Sequence, residues 1–200
     1  PPSSRMASHG AGGAGAGPKA LQKLIIVGDS GVGKTSLMNR YVSSKFSSQY
    51  KATIGADFLP REVQVGDMSV TLQIWDTAGQ ERFQSLGVAF YRGSDACVLC
   101  YDVTNARSFQ RIWSFWKNEF IKRAGVTDPA SFPLVVLGNK CDSPKERWDI
   151  TERKARQVCE ENGVPHFLVS AKDGTNVEQG FLHVVKAALK RPGPEVAIPA

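Results

Sequence analysis

The sequence has no run of about 18 consecutive apolar residues, so it offers no membrane-spanning helix. It has no apolar core of a secretory leader near its start, and no internal repeat. Cysteine is scarce: Cys97, Cys100, Cys141 and Cys159 are the four in 200 residues, which excludes a disulfide-stapled scaffold. Cys97 and Cys100 form a C-x-x-C, yet no second C-x-x-C and no paired histidine completes a zinc site. They lie in the apolar run Ala96-Cys97-Val98-Leu99-Cys100-Tyr101, which reads as a buried strand using cysteine as a small apolar residue. Cysteines scattered in this way fit a reducing compartment such as the cytosol. A strong excess of one sign of charge is lacking as well, with 25 Lys and Arg against 19 Asp and Glu. The net charge of +6 suits an anionic ligand but is too small to argue for nucleic acid.

What remains is ordinary for one globular domain: 42% hydrophobic and 22% charged residues, which excludes a largely disordered or collagenous chain. The first twenty residues are rich in Gly, Ala, Pro and Ser and are expected to form a flexible tail, 1–20. Within it, Met6 reads as the native start, with Pro1–Arg5 as vector-derived residues. A domain over 21–190 follows, then a short tail, 191–200, opened by Arg191-Pro192-Gly193.

Between the tails, apolar runs alternate with helix-patterned segments. Leu24–Val27, Ala96–Tyr101, Leu134–Leu137 and His166–Val169 read as strands buried on both faces. Phe109, Ile112, Trp113, Trp116 and Phe120 fall on one helical stripe, as do Val177, Phe181, Val184 and Ala188. The alternation predicts an α/β fold, a mostly parallel sheet with helices on both faces. Ligands then bind at the carboxyl ends of the strands.

After the first strand comes Gly28-Asp29-Ser30-Gly31-Val32-Gly33-Lys34-Thr35, a G-x-x-x-x-G-K-S/T loop between strand and helix. Its glycines let successive N–H groups point into one concavity, and the helix N-terminus adds positive potential. Lys34 supplies a point charge for β- and γ-phosphates. The Thr35 hydroxyl suits Mg²⁺. The loop specifies a nucleoside triphosphate, but neither the base nor the acceptor of the phosphoryl group.

Phe58–Val65 and Met68–Trp75 flank Gly66-Asp67, a two-residue loop suited to a type II′ hairpin. That turn sets Val65 opposite Met68, Val63 opposite Val70, Leu59 opposite Ile74 and Phe58 opposite Trp75. One face is then apolar except for Arg61. The other is polar until Phe58 and Trp75, which are expected to face solvent. Pro60 marks the first of these strands as an edge.

The second hairpin strand ends in Asp76-Thr77-Ala78-Gly79-Gln80. A carboxylate at that strand end is suited to Mg²⁺, and Gly79 lets a backbone N–H approach a γ-phosphate. The Gln80 amide can orient an attacking water. Upstream, Ser43–Asp57 has no regular pattern. Thr53 within it is a candidate second hydroxyl for Mg²⁺, not separable by spacing from its serine neighbours. Gly138-Asn139-Lys140-Cys141-Asp142 follows another strand. Asp142 can accept from the ring N–H and exocyclic amine of guanine, and adenine would leave it unpaired. Ser170-Ala171-Lys172 follows the last strand, its amides suited to guanine O6.

In order and spacing these motifs resemble the Ras-like small GTPases over about 21–190. Ile54–Phe58, Leu72–Phe83 and Tyr91-Arg92-Gly93 resemble Rab signature stretches, and Tyr50–Phe58 and Gln84–Tyr91 are most similar to the late-endosomal and vacuolar Rab branch. The resemblance implies a P-loop small G domain, with a six-stranded sheet, one antiparallel edge strand and five helices. It implies phosphate contacts from Ser30, Gly31, Val32, Gly33, Lys34, Thr35, Ser36, Thr53 and Gly79, and Mg²⁺ held by Thr35, Thr53 and Asp76. Guanine would meet Phe46, Asn139, Lys140, Asp142, Ser170, Ala171 and Lys172. Gln80 would be catalytic, and Phe58, Trp75 and Tyr91 would form an effector surface.

A switch in vesicle trafficking between late endosome and lysosome or vacuole is implied, driven by GTP and GDP. The implied partners are an exchange factor, a GTPase-activating protein, effectors, a GDP-dissociation inhibitor and a prenylation escort. The protein is expected to be a monomer, in the cytosol and on the cytosolic face of those membranes. A scaffold that binds GTP without hydrolysing it and a P-loop phosphotransferase are the rival readings. Rab proteins end in prenylated cysteines, but this sequence ends Pro194–Ala200 without one. Either a shortened tail or an unlipidated protein is expected.

Overall fold

The computed structural model describes residues 19–49, 56–77 and 88–191. Six strands form one sheet in the order β2-β3-β1-β4-β5-β6. They are β1 (Lys19–Val27), β2 (Ala56–Val65), β3 (Met68–Thr77), β4 (Ala96–Asp102), β5 (Leu134–Asn139) and β6 (His166–Leu168). Among the described strands only the β2–β3 pair is antiparallel. Among the described residues the helices are α1 (Lys34–Ser43), α2 (Val88–Tyr91), α3 (106–124), α4 (Glu152–Glu161) and α5 (Val177–Leu189), with a 3₁₀ turn at Lys145–Arg147. None of them is long and apolar enough to cross a membrane. β1 starts at Lys19, so Lys19 and Ala20, assigned above to the tail, pair with Ser69 and Val70.

The alternation of side chains along each central strand builds two cores, one on each face. Leu24, Ile26, Val98, Cys100, Val135 and Leu137 pack toward α1 and α5. Ile25, Val27, Cys97, Leu99, Tyr101 and Val136 pack toward α3 and α4. The C-x-x-C is resolved by this parity. Cys97 and Cys100 are fully buried in different cores, on opposite faces of β4, where they cannot share a metal or a bond.

The hairpin has the register its turn demands. Phe58 faces Trp75, Leu59 faces Ile74, Val63 faces Val70 and Val65 faces Met68. Gly66 takes φ +59° while Asp67 does not enter the left-handed region, as a II′ turn requires. β2 is an edge strand. The misfit Arg61 lies over the Tyr41 ring at 3.9 Å, donates to the Tyr41 carbonyl at 2.6 Å and pairs with Glu178 at 2.9 Å. It thereby leaves the apolar face with its charge satisfied.

α3 departs from the uniform helix that its stripe predicts. Its segments Ala106–Arg111 and Lys117–Ala124 are α-helical, but Ile112–Trp116 forms a π turn, in which Lys117 N–H donates to the Ile112 carbonyl. The physical reason lies in the sequence of that turn. Ile112 and Trp116 are buried, and Trp113 and Phe115 also pack on the same core, more bulk than one α-helical stripe can present. The wider turn lets all four reach it.

Candidate functional site

The carboxyl ends of β1, β3, β4, β5 and β6 all open on one edge of the sheet, at the point where the strand order reverses around β1. From β1 the chain passes directly into the glycine loop. Two of its glycines are required by contact. A Cβ on Gly28 would lie 2.2 Å from the Cys100 carbonyl oxygen, and one on Gly33, at φ +98°, 2.3 Å from Asn139 Nδ2. The loop therefore closes against β4 and the β5 loop as no other residue type permits.

Lys34, at the start of α1, is 5% exposed. Its Nζ donates to the Gly28 and Asp29 carbonyls, each at 2.9 Å, so the ammonium spans the loop from beneath. Burial pushes its pKa below the ordinary lysine value, opposed by the nearby Asp76. The next residue, Thr35, donates its hydroxyl to Asp76 Oδ2 across to β3. Asp76 is fully buried. A buried carboxylate beside a hydroxyl is a set of hard oxygen donors, which fits Mg²⁺.

The residues expected to meet the base sit at the ends of β5, β6 and α1 and in the loops that follow them. Asn139 is 2% exposed, donates from Nδ2 to the Val32 carbonyl at 2.8 Å and accepts from Ala171 N–H at 3.1 Å. Lys140, in the left-handed region at φ +67°, lays its Nζ 2.8 Å from the Gly31 carbonyl and 2.5 Å from Asp102 Oδ2. Asp142 accepts from the Ser170 hydroxyl at 2.7 Å, with Lys172 Nζ at 3.8 Å from its other oxygen. Phe46 stands exposed on the loop after α1. Ser30, Gly31, Val32, Gly33, Lys34, Thr35, Ser36 and Asp76 are thus brought together at the glycine loop, and Asn139, Lys140, Asp142, Ser170, Ala171 and Lys172 at the adjoining loops after β5 and β6. Thr53, Gly79 and Gln80 lie outside the described residues.

Three residues at this site escaped the sequence reading. Arg40 donates from Nε to the Ala171 carbonyl at 2.7 Å and from Nη2 to the Lys172 carbonyl at 2.5 Å. Asp102 closes the pair with Lys140. Trp116 donates its indole N–H to Asp29 Oδ1 at 2.7 Å. Only Asp102 carried a signal, as an acidic residue at a strand's carboxyl end.

The aromatic surface forms a chain of rings beside the hairpin. Phe58, 40% exposed, lies 5.0 Å from Trp75, which meets Phe90 edge-on at 5.2 Å. Phe90 in turn meets Tyr91 at 5.1 Å. Tyr91 is 8% exposed and rests on Phe120, so it forms the floor of this surface while Phe58 forms its open end.

A mostly parallel α/β sheet with a phosphate loop, a strand-end carboxylate facing its threonine, and an Asn-Lys-x-Asp base loop define a small guanine-nucleotide-binding domain. The Ras family model matches residues 23–190. The Ras-related protein Rab-7a of Dictyostelium discoideum is 59% identical over 173 residues, 86% of this chain and 84% of its own. The Ypt/Rab-type GTPase avaA of Emericella nidulans is 58% identical over 172 residues, 86% of this chain and 83% of its own. The Ras-related protein Rab7 of Cenchrus ciliaris is 58% identical over 184 residues, covering 90% and 89%. The chain belongs to the Ras family. Its relatives place it with the Rab7-type GTPases, enzymes that hydrolyse GTP and work with exchange factors, activating proteins and effectors.

Proposed function

We propose that this chain is a GTP-operated switch of endosomal and vacuolar membrane traffic, with the bound nucleotide lying along the strand ends from Phe46 to Lys34. The observation that carries this reading is the Asn139 side chain, which ties the phosphate loop at Val32 to the base loop at Ala171. One residue thus makes a phosphate site and a guanine site into a single groove.

Lys34 and the amides of 30–36 would take up the phosphate charge. Thr35 and Asp76, with Thr53, would hold Mg²⁺, which when bound supplies Lewis-acid neutralisation of phosphate oxygens. Asp142 would accept from guanine's ring N–H and amine. The Ser170 amide donates to the Thr175 carbonyl and the Ala171 amide to Asn139, so Lys172 N–H carries the contact to O6 best. Gln80 would orient the attacking water. The Phe58–Trp75 surface would dock effectors, its apolar area adjoining the hairpin that carries Asp76. The Rab7 and Ypt/Rab-type names of the relatives support a late-endosomal or vacuolar setting. A GDP-dissociation inhibitor, a prenylation escort, membrane contact only through a lipid tail that this sequence does not carry, and a monomeric state belong to the same proposal.

Single-turnover hydrolysis of GTP in Mg²⁺ buffer tests it. The expected rate is about 10⁻⁴ to 10⁻² s⁻¹, rising about 10³- to 10⁵-fold with a matched activating protein. Gln80→Leu should slow the intrinsic rate. Phosphoryl transfer to a nucleoside monophosphate, or no hydrolysis with any activator, would contradict it.

A further inference from the structure

The phosphate loop carries an acidic residue, Asp29, at its second position, and a carboxylate in an anion-binding loop repels the ligand the loop is built to hold. The structure shows what restrains it. Asp29 Oδ1 accepts from the Trp116 indole N–H at 2.7 Å and lies 3.1 Å from Arg111 Nε. Its side chain is 18% exposed, and Trp116 is 5% exposed. The backbone carbonyl of the same residue accepts from Lys34 Nζ at 2.9 Å, so Asp29 is held at both ends, by α3 and by the phosphate-binding lysine.

The π turn of α3 is what makes this double contact. Arg111 and Trp116 are five residues apart, which on an α-helix sets them about 140° around the axis, on different faces. The i→i+5 hydrogen bonding of Ile112–Trp116 brings such a pair toward one face, and both side chains reach one carboxylate oxygen. A helix irregularity that packs bulky residues inward thereby also aims two donors at the nucleotide loop.

We propose that Arg111 and Trp116 are positioning residues for nucleotide binding. They draw the Asp29 carboxylate against α3 and offset its charge, so that the loop amides and Lys34 face a polyphosphate without an opposing anion. This rests on the reading of 28–35 as the phosphate site. Both act through Asp29, whose carboxylate they share.

The test is a double-mutant cycle on the full GDP-loaded chain, reading release of a fluorescent GDP in Mg²⁺ buffer and affinities for GMP, GDP and GTP. W116F deletes one N–H and keeps an aromatic ring, and D29N removes the charge. W116F should speed GDP release about tenfold in the native background and less than about twofold in the D29N background. Its affinity loss should grow from GMP to GDP to GTP. Equal losses for the three nucleotides, or a W116F factor unchanged by D29N, would overturn the proposal, since packing alone predicts both. If W116F does not fold, R111M at a side chain 21% exposed carries the same cycle with the same two outcomes. Failure of the unsubstituted chain to bind GDP would instead overturn the phosphate-site reading itself.

Discussion

The Asn139 side-chain amide donates to the Val32 carbonyl at 2.8 Å, joining the end of β5 to a loop 107 residues earlier in the chain. Its oxygen accepts from Ala171 N–H at 3.1 Å. A fully used, buried amide of this kind is costly to disturb, because either partner left alone is a desolvated polar group.

Gly33→Ala therefore probes the junction from the opposite side. The new methyl would meet Asn139 Nδ2 at 2.3 Å, on a backbone held at φ +98°. Strain and displacement of Asn139 together should cost about 100-fold in GDP affinity. Calorimetric titration measures it, and an affinity within a few-fold of the native one would show that the junction yields.

Asp142→Asn should move base preference from guanine toward xanthine nucleotides. An amide donates where a carboxylate accepted, and xanthine presents a carbonyl in place of guanine's amine. Competition between GDP and XDP for the protein reads this out. The native preference for GDP over ADP should be about 10⁴-fold or more. Undiminished guanine selectivity in the variant would remove Asp142 from base recognition.

Thr35→Asn removes the hydroxyl that donates to Asp76. Mg²⁺-dependent binding of GTP should fall about tenfold further than binding of GDP, since the triphosphate depends more on the metal. Equal losses with and without Mg²⁺ would assign Thr35 a purely structural part.

His166 predicts a pH dependence of stability away from the nucleotide. Its Nε2 lies 3.0 Å from the Tyr101 hydroxyl, and burial pushes its pKa down to about 4, against an ordinary value of 6.5. The folded chain thus holds this imidazole neutral where the unfolded chain protonates it. Stability should be full above pH 6.5 and fall by about 2 to 3 kcal/mol as the pH drops toward 4. Urea denaturation of the GDP-bound chain at pH 7 and 4.5 measures the loss. His166→Gln should flatten it, and an unchanged slope would place the titration elsewhere.

These residues also mark where sequence is informative. The phosphate loop and the Asn139–Asp142 loop are contiguous stretches whose chemistry is written in consecutive side chains. The hairpin register was equally legible, because side-chain parity and a two-residue turn at Gly66 leave one pairing of Phe58 with Trp75. Arg40 was not, since its two carbonyl acceptors lie 131 and 132 residues away. Nor was the π turn, for Phe109, Ile112, Trp116 and Phe120 satisfy an ordinary helical period and nothing in their spacing reports the widened turn. Tyr91 shows the same limit. Its aromaticity was visible, but its burial beneath Phe90 and against Phe120 depends on tertiary packing.

The site between Lys34 and Asp142 is expected to select a guanine nucleotide. Titration calorimetry of nucleotide-stripped protein with GDP, GTP and ADP in Mg²⁺ buffer tests it most directly. Stoichiometric uptake of GDP and GTP is expected, with none of ADP at micromolar concentration. Equal uptake of ADP, or no uptake of either guanine nucleotide, would contradict it.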